Sequence, residues 1–151
     1  MSNAAAAGTP NVGLPVVAFV GLGNMGTPMA RRLVEAGYTV RGTDLSADAR
    51  DRLTAVGGVA ETDAAAAVTG ADVVVLMLPD SSVVSAVVHS PSVTSALSAG
   101  TVIVDMSSSE PMSTRVLAEE LDAAGVRLVD APVSGGVRGA ENGKLDRKSV
   151  V

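Results

Sequence analysis

The chain has no cysteine and no tryptophan, and its 151 residues include one phenylalanine, one tyrosine and one histidine. Without thiols there is no disulfide framework, no thiolate nucleophile and no cysteine-ligated metal. A single imidazole, His89, excludes a histidine-based metal cluster as well. With 47% of residues hydrophobic and almost no aromatics, the core must be built from Val, Ala, Leu and Met. Such small and branched side chains suit a parallel sheet buried between two layers of helices. A basic excess is also lacking: 11 Lys and Arg stand against 16 Asp and Glu, for a net charge of −5. No basic stripe is available to neutralise a phosphate backbone, so nucleic acid is not an expected partner. Nor does any apolar run approach the ~18 residues that span a bilayer, so a membrane is not expected either. Residues 1–15 carry no arginine and no charged start, and fit neither a signal nor a transit peptide. They are expected to be a disordered leader, and the protein to be cytoplasmic. The length leaves room for one domain with a core of its own.

Against these absences stands one conspicuous stretch, Val16-Val17-Ala18-Phe19-Val20-Gly21-Leu22-Gly23-Asn24-Met25-Gly26. An apolar run enters a turn with glycines at 21, 23 and 26, and a helical pattern starts without a break. The spacing is G-x-G-x-x-G between a strand and a helix, the turn that lays a dinucleotide pyrophosphate on a helix N-terminus. In that reading Gly21 permits the tight turn, Gly23 admits the phosphates to the backbone, and Gly26 lets the helix approach the strand. Three glycines alone, in a chain with 16, are also compatible with a purely structural turn.

The rest of the chain alternates strand and helix. The first helix is expected to turn Met25, Met29, Leu33 and Val34 to the sheet and Arg31, Arg32 and Glu35 to solvent, ending at Ala36-Gly37. A second strand, Thr39 to Thr43, ends at Asp44, 23 positions after Gly21. That is close to the separation of ~20 at which an acidic residue takes the adenosine ribose. A carboxylate there accepts from the 2′- and 3′-hydroxyls and repels a 2′-phosphate, which favours NAD over NADP. The other reading of Asp44 is a helix N-cap, a role Ser46 can fill. A helix over Ser46 to Val56, a brief strand at Val59-Ala60 and a small helix capped by Thr62 or Asp63 follow. Asp72 to Leu78 reads as a central strand stopped by Pro79, with Met77 in the core. Ser81 or Ser82 should cap a helix through Val88, with His89 a surface residue at its C-terminal end. Thr101 to Met106 is the next strand and runs into Ser107-Ser108-Ser109. Pro111 opens a helix over Met112 to Ala124, and Val126 to Asp130 is the sixth strand. Such alternation calls for a doubly wound parallel sheet in three αβα layers.

Four motifs in order now support a resemblance: Phe19 to Gly26, Leu76-Met77-Leu78-Pro79, Asp105-Met106-Ser107-Ser108-Ser109-Glu110-Pro111, and Asp130-Ala131-Pro132-Val133-Ser134-Gly135-Gly136-Val137-Arg138-Gly139-Ala140. Together they resemble the N-terminal NAD(P)-binding, Rossmann-type domain of the β-hydroxyacid dehydrogenases. That family includes 3-hydroxyisobutyrate dehydrogenase, tartronate semialdehyde reductase and glyoxylate reductases, with 6-phosphogluconate dehydrogenase more remote. The resemblance implies hydride transfer between NAD(P) and a small β-hydroxy acid or semialdehyde, by homo-oligomers. It implies that Gly21, Leu22, Gly23, Asn24, Met25 and Gly26 hold the pyrophosphate. Asp44 would serve the adenosine ribose, Leu78 and Pro79 would line the nucleotide crevice, and Ser108 would lie near the nicotinamide ribose. Ser134, Gly135 and Gly136 match the family's substrate-binding loop, where backbone N–H groups and a hydroxyl take the substrate carboxylate. By itself Ser-Gly-Gly is also a flexible turn. The loop holds four glycines between 135 and 143. Arg138 reads as a solvated residue in it rather than as a carboxylate clamp.

The family's catalytic lysine lies in a second, helical domain, and neither Lys144 nor Lys148 sits in its motif. The expected layout is therefore a leader over 1–15 and a nucleotide-binding domain over 16–145, with the helical catalytic domain absent. The abrupt change to Asp146-Arg147-Lys148-Ser149-Val150-Val151 suggests a non-native tail at 146–151. On this reading the chain binds cofactor without turnover. A non-catalytic binding module and the cofactor half of an imine reductase are the alternatives. Uncovered apolar surface along the crevice would make such a domain marginal or poorly soluble.

Overall fold

The computed structural model describes residues 13–147, so most of the expected leader, and residues 148–151 of the expected tail, lie outside the described residues. Strand β1 (Val16–Val20) leads through the glycine turn into helix α1 (Gly26–Glu35). The unit repeats with β2 (Thr39–Thr43) and α2 (Ala47–Ala55), and again with β3 (Val59–Ala60) and α3 (Ala64–Val68). The second half runs β4 (Val73–Leu76), α4 (Ser81–Val88), α5 (Pro91–Ala96), β5 (Val102–Asp105), α6 (Pro111–Asp122) and β6 (Arg127–Asp130). A short hairpin, β7 (Val133–Ser134) and β8 (Asp146–Arg147), brackets α7 (Gly136–Asn142).

Six strands form one parallel sheet in the order β3-β2-β1-β4-β5-β6. At the centre, Val20 of β1 pairs with Thr43 on one side and Leu76 on the other. The chain winds outward from β1 to β3 and then returns to β4 on the far side of β1. The loops leaving β1 and β4 therefore part in opposite directions, which opens a crevice at their C-terminal ends.

Each face of the sheet has its own core. On one, Phe19, Val40 and Val75 pack with Ala30 of α1 and Leu53 of α2. On the other, Ala18, Val74, Leu76 and Ile103 pack with residues of α3 to α6, among them Val84, Val93 and Leu117. Space on the first face is taken up by Leu53: a Cβ on Gly42 or Gly58 would come within 2.5 and 2.4 Å of its side chain. Truncating a leucine so enclosed costs ~2–5 kcal/mol.

Several local expectations are corrected. In α1, Met29, Leu33 and Val34 pack on the core as expected, but the buried residues are Gly26, Pro28 and Ala30, and Met25 stands at the N-cap. Asp80 caps α4 instead of Ser81 or Ser82, because its carboxylate accepts from the N–H groups of both Ser82 and Val83, at 2.9 and 3.1 Å. Those bonds, the Ser82 hydroxyl's included, lower the Asp80 pKa. Strand β4 ends at Leu76, two residues before its expected end, so Met77 and Leu78 already belong to the loop over the crevice. An additional helix, α5, follows Pro91 at its first turn. Finally, the glycine-rich segment after Ser134 is helical, as α7.

Candidate functional site

Two of the three glycines of the turn lie hard against backbone. Gly21 has φ +102°, and a Cβ on it would lie 2.2 Å from the Met77 carbonyl oxygen in the loop after β4. A Cβ on Gly26 would lie 1.9 Å from the Gly21 carbonyl oxygen, so α1 starts directly against the turn. Gly23 differs from both. Its φ is not positive and a Cβ there would meet nothing within 4 Å. Open space therefore lies above Gly23, at the N-terminus of a helix of 10 residues. Thr27 N–H turns back to the Gly23 carbonyl at 3.0 Å, and the Thr27 hydroxyl donates to the Leu22 carbonyl. Among the described residues, the N–H groups of Gly23, Asn24, Met25 and Gly26 find no protein acceptor. Unspent N–H groups at a helix N-terminus, with the positive end of the dipole behind them, suit an anion. The residues present thus fit a pyrophosphate.

Asp44 stands at the end of β2 beside this turn. One carboxylate oxygen accepts from the Leu22 N–H at 2.8 Å and the other from the Ser46 N–H, also at 2.8 Å. Each oxygen keeps a further lone pair for a hydroxyl. Ser46 itself caps α2 by accepting from Ala49 N–H at 3.3 Å, so Asp44 is not the helix cap. Arg50 donates to the Asp44 carbonyl at 2.7 Å and steadies the loop from behind. Leu45, next in the chain, is fully exposed.

Across the crevice, the Leu78 side chain approaches Gly21, and Pro79 is exposed beyond it. Leu78 is fixed by a residue the sequence did not single out: its N–H donates to the Ser107 hydroxyl at 2.9 Å, and Ser107 is fully buried. Ser108 is exposed and faces the N-terminal end of α4, while Ser109 donates to Asp105 at 2.6 Å. Asp105 and Asp130 sit side by side at the ends of β5 and β6. Burial, and then the neighbouring Asp105 charge, push the Asp130 carboxyl above the usual carboxylate range, and its Oδ1 is buried without a hydrogen-bond partner.

Ser134 lies in β7, and Gly135 and Gly136 both have positive φ, +117° and +61°, at the start of α7. Ser134, Gly135 and Gly136 follow β6 at the same sheet edge from which the crevice opens. The leucine at 145 folds back on Gly135 and Gly139, where Cβ atoms would lie 3.4 and 3.1 Å from its methyl. Arg138 is exposed, on a helix rather than in a loop.

A second concavity, about 720 Å³, opens between α4 and α6. Of the expected site residues only Ser108 lines it, with Asp80, Ser85, His89 and Met112 among its neighbours. At its far end His89 bridges Ser85, at 2.9 Å, and Glu120. The hydrogen bond to the Glu120 carboxylate raises the His89 pKa above its ordinary value. Among the described residues no cluster of His, Asp or Glu is placed to hold a metal, and no helix is long and apolar enough to cross a membrane.

A parallel sheet in this order, with unpaired amides at the switch point and an acidic residue at the end of β2, defines a dinucleotide-binding α/β domain. Comparison with known proteins places it more narrowly. Residues 16–147 match the sequence model of the NAD binding domain of 6-phosphogluconate dehydrogenase, and the chain belongs to this family. It is 42% identical over 130 residues to 2-(hydroxymethyl)glutarate dehydrogenase of Eubacterium barkeri, covering 85% of this chain and 43% of that protein. The structure of Mycobacterium tuberculosis 3-hydroxyisobutyrate dehydrogenase with L-serine superposes with a TM-score of 0.84 and 38% identity, over 89% of this chain and 45% of the other. An imine reductase from Myxococcus stipitatus in complex with NAD+ shares the fold alone, at 21% identity and a TM-score of 0.79 over 83% of this chain and 43% of that one. The chain spans less than half the length of the relatives it matches.

Proposed function

We propose that the chain binds NAD in preference to NADP, as the cofactor-holding part of an oxidoreductase acting on a small β-hydroxy acid or semialdehyde. The observation that carries the reading is the set of unspent N–H groups from Gly23 to Gly26, with open space at Gly23. These groups, with Gly21 and Leu22 shaping the turn, would hold the pyrophosphate. Asp44 would accept from the adenosine ribose hydroxyls, and its charge disfavours a 2′-phosphate at the same place. Leu78 and Pro79 would bound the crevice, and Ser108 would offer a hydroxyl toward the nicotinamide ribose. The bound cofactor supplies hydride transfer at its nicotinamide. Ser134, Gly135 and Gly136 would receive a substrate carboxylate close to it. Support for the substrate class comes from the relatives' hydroxy-acid dehydrogenase activities.

Isothermal titration of the 151-residue chain with NAD and with NADP tests this reading. Binding of NAD at least tenfold tighter than NADP is expected. Absence of NAD binding, or a preference for NADP, refutes it. Assays with a panel of hydroxy acids in the same preparation separate binding from turnover.

A further inference from the structure

The end of helix α7 recruits a side chain from another helix. Lys144 N–H donates to the Gly139 carbonyl at 2.8 Å, and Gly143 N–H to the Ala140 carbonyl at 3.3 Å, with Gly143 in the left-handed region at φ +66°. That is the Schellman pattern, which satisfies two of the orphan carbonyls of a final turn. The Glu141 carbonyl, next in line, is taken by a side chain from 109 residues earlier: Arg32 donates to it from Nε at 3.1 Å and from Nη2. The guanidinium packs against Gly143, where a Cβ would stand 3.3 Å from Arg32 Cζ. Arg32 thus caps a helix to which it does not belong. The sequence offered it only as a solvent-facing residue of α1.

The two ends of α1 consequently meet two different parts of the site. Its first residue, Gly26, closes the pyrophosphate turn. Six residues on, about 9 Å along the axis at 1.5 Å per residue, Arg32 holds α7. The start of α7 is Gly136, directly after Ser134 and Gly135. We infer that Arg32 is a positioning residue that couples cofactor binding at the glycine turn to the placement of the Ser134–Gly136 segment. The inference rests on the proposed cofactor reading. An arginine suits this task because its planar fork puts two donors on one carbonyl, whereas lysine supplies a single point donor.

Hydrogen exchange of the full chain, with and without saturating NAD, tests the coupling in the wild type, Arg32→Gln and Arg32→Lys. In the wild type NAD is expected to slow exchange of the α7 amides at least about fivefold, a coupling of ordinary size. In Arg32→Gln the NAD-induced slowing disappears, basal exchange of α7 rises, and NAD affinity measured by calorimetry stays within about tenfold, as reciprocal linkage requires. Arg32→Lys restores part of the slowing. A purely structural role for Arg32 would raise basal exchange yet leave the NAD-induced increment in place, and that result overturns the inference. So does wild-type protein that binds NAD without slowing α7, an outcome that leaves the cofactor reading standing. Absence of NAD binding in the calorimeter overturns both.

Discussion

Replacing Gly23 with alanine separates the structural use of the glycine turn from its chemical use. A methyl at Gly23 meets no protein atom within 4 Å, and the residue's φ is one an alanine adopts without strain. The folded state loses nothing, and the unfolded chain loses freedom, so Gly23→Ala should be neutral or stabilising by up to ~1 kcal/mol. In a domain of this size that is a rise in Tm of at most ~4 °C. The same methyl occupies the space through which a phosphate must come to reach the N–H groups of Gly23 to Gly26. Displacing the ligand by a methyl radius breaks at least two charge-assisted hydrogen bonds, each worth ~1.5–3 kcal/mol, for a loss of at least ~100-fold in NAD affinity. Gly26→Ala supplies the contrast. Its Cβ would lie 1.9 Å from the Gly21 carbonyl oxygen, backbone against backbone. Overpacking of that kind costs ~1–3 kcal/mol or more and should lower Tm by several degrees, at ~2–4 °C per kcal/mol. Calorimetric titration and thermal melts on the two variants give the test. Gly23→Ala that melts like wild type and binds NAD within threefold of it would show that nothing approaches this turn, and the site assignment would fall.

Asp44→Asn removes the charge but keeps an amide oxygen for one N–H. A unit charge pair about 4 Å apart in water-like surroundings is worth ~1 kcal/mol, so relief from a dianionic phosphate should shift the NADP-to-NAD affinity ratio by ~2 kcal/mol, about 30-fold. An unchanged ratio in paired titrations would remove Asp44 from cofactor selection. Asp130 is raised above its ordinary value of 3.8 when folded, so protonation favours the folded state. Stability should rise as pH falls from neutral through the raised value and level off below 3.8; Asp130→Asn should flatten that limb of Tm against pH and melt higher than wild type at pH 8. His89 is raised above 6.5, so its pairing with Glu120 contributes fully below 6.5 and is lost as pH rises through the raised value. Glu120→Gln should abolish that slope, and because both side chains are about half exposed, salt should shrink it in the wild type.

The alternation of strands and helices was readable because most strands are short apolar runs ended by glycine, proline, aspartate or serine. Asp44 was picked out as a candidate by its distance to Gly21. Its bond to the Leu22 N–H was not, since that contact joins two loops that only the folded sheet brings together. Helix α5 escaped notice because its six residues bury a single side chain, Val93, too few to print a periodic stripe. The choice of Asp80 over Ser81 as a cap depended on side-chain reach, and all three candidates are good caps by type. For α7 the signal pointed the wrong way. Four glycines argue for a loop, and the helix forms because Leu145 covers Gly135 and Gly139 while Arg32 takes the Glu141 carbonyl in its last turn. These are tertiary contacts overriding propensity.

With the proposed role of Asp44, the carboxylate at the end of β2 also bears on how such a domain would change its cofactor over generations. Asp44 contacts the Leu22 N–H directly, so a mutation that trades away its charge also strips an acceptor from the turn. Replacements with a side-chain oxygen, such as asparagine or serine, keep a partner for that N–H; alanine or glycine orphan it, at a cost of ~1–3 kcal/mol for a donor sheltered from water. Routes from one nucleotide to the other should therefore pass through the polar intermediates. A descendant with a small apolar residue at this position should carry a second change that shelters Leu22.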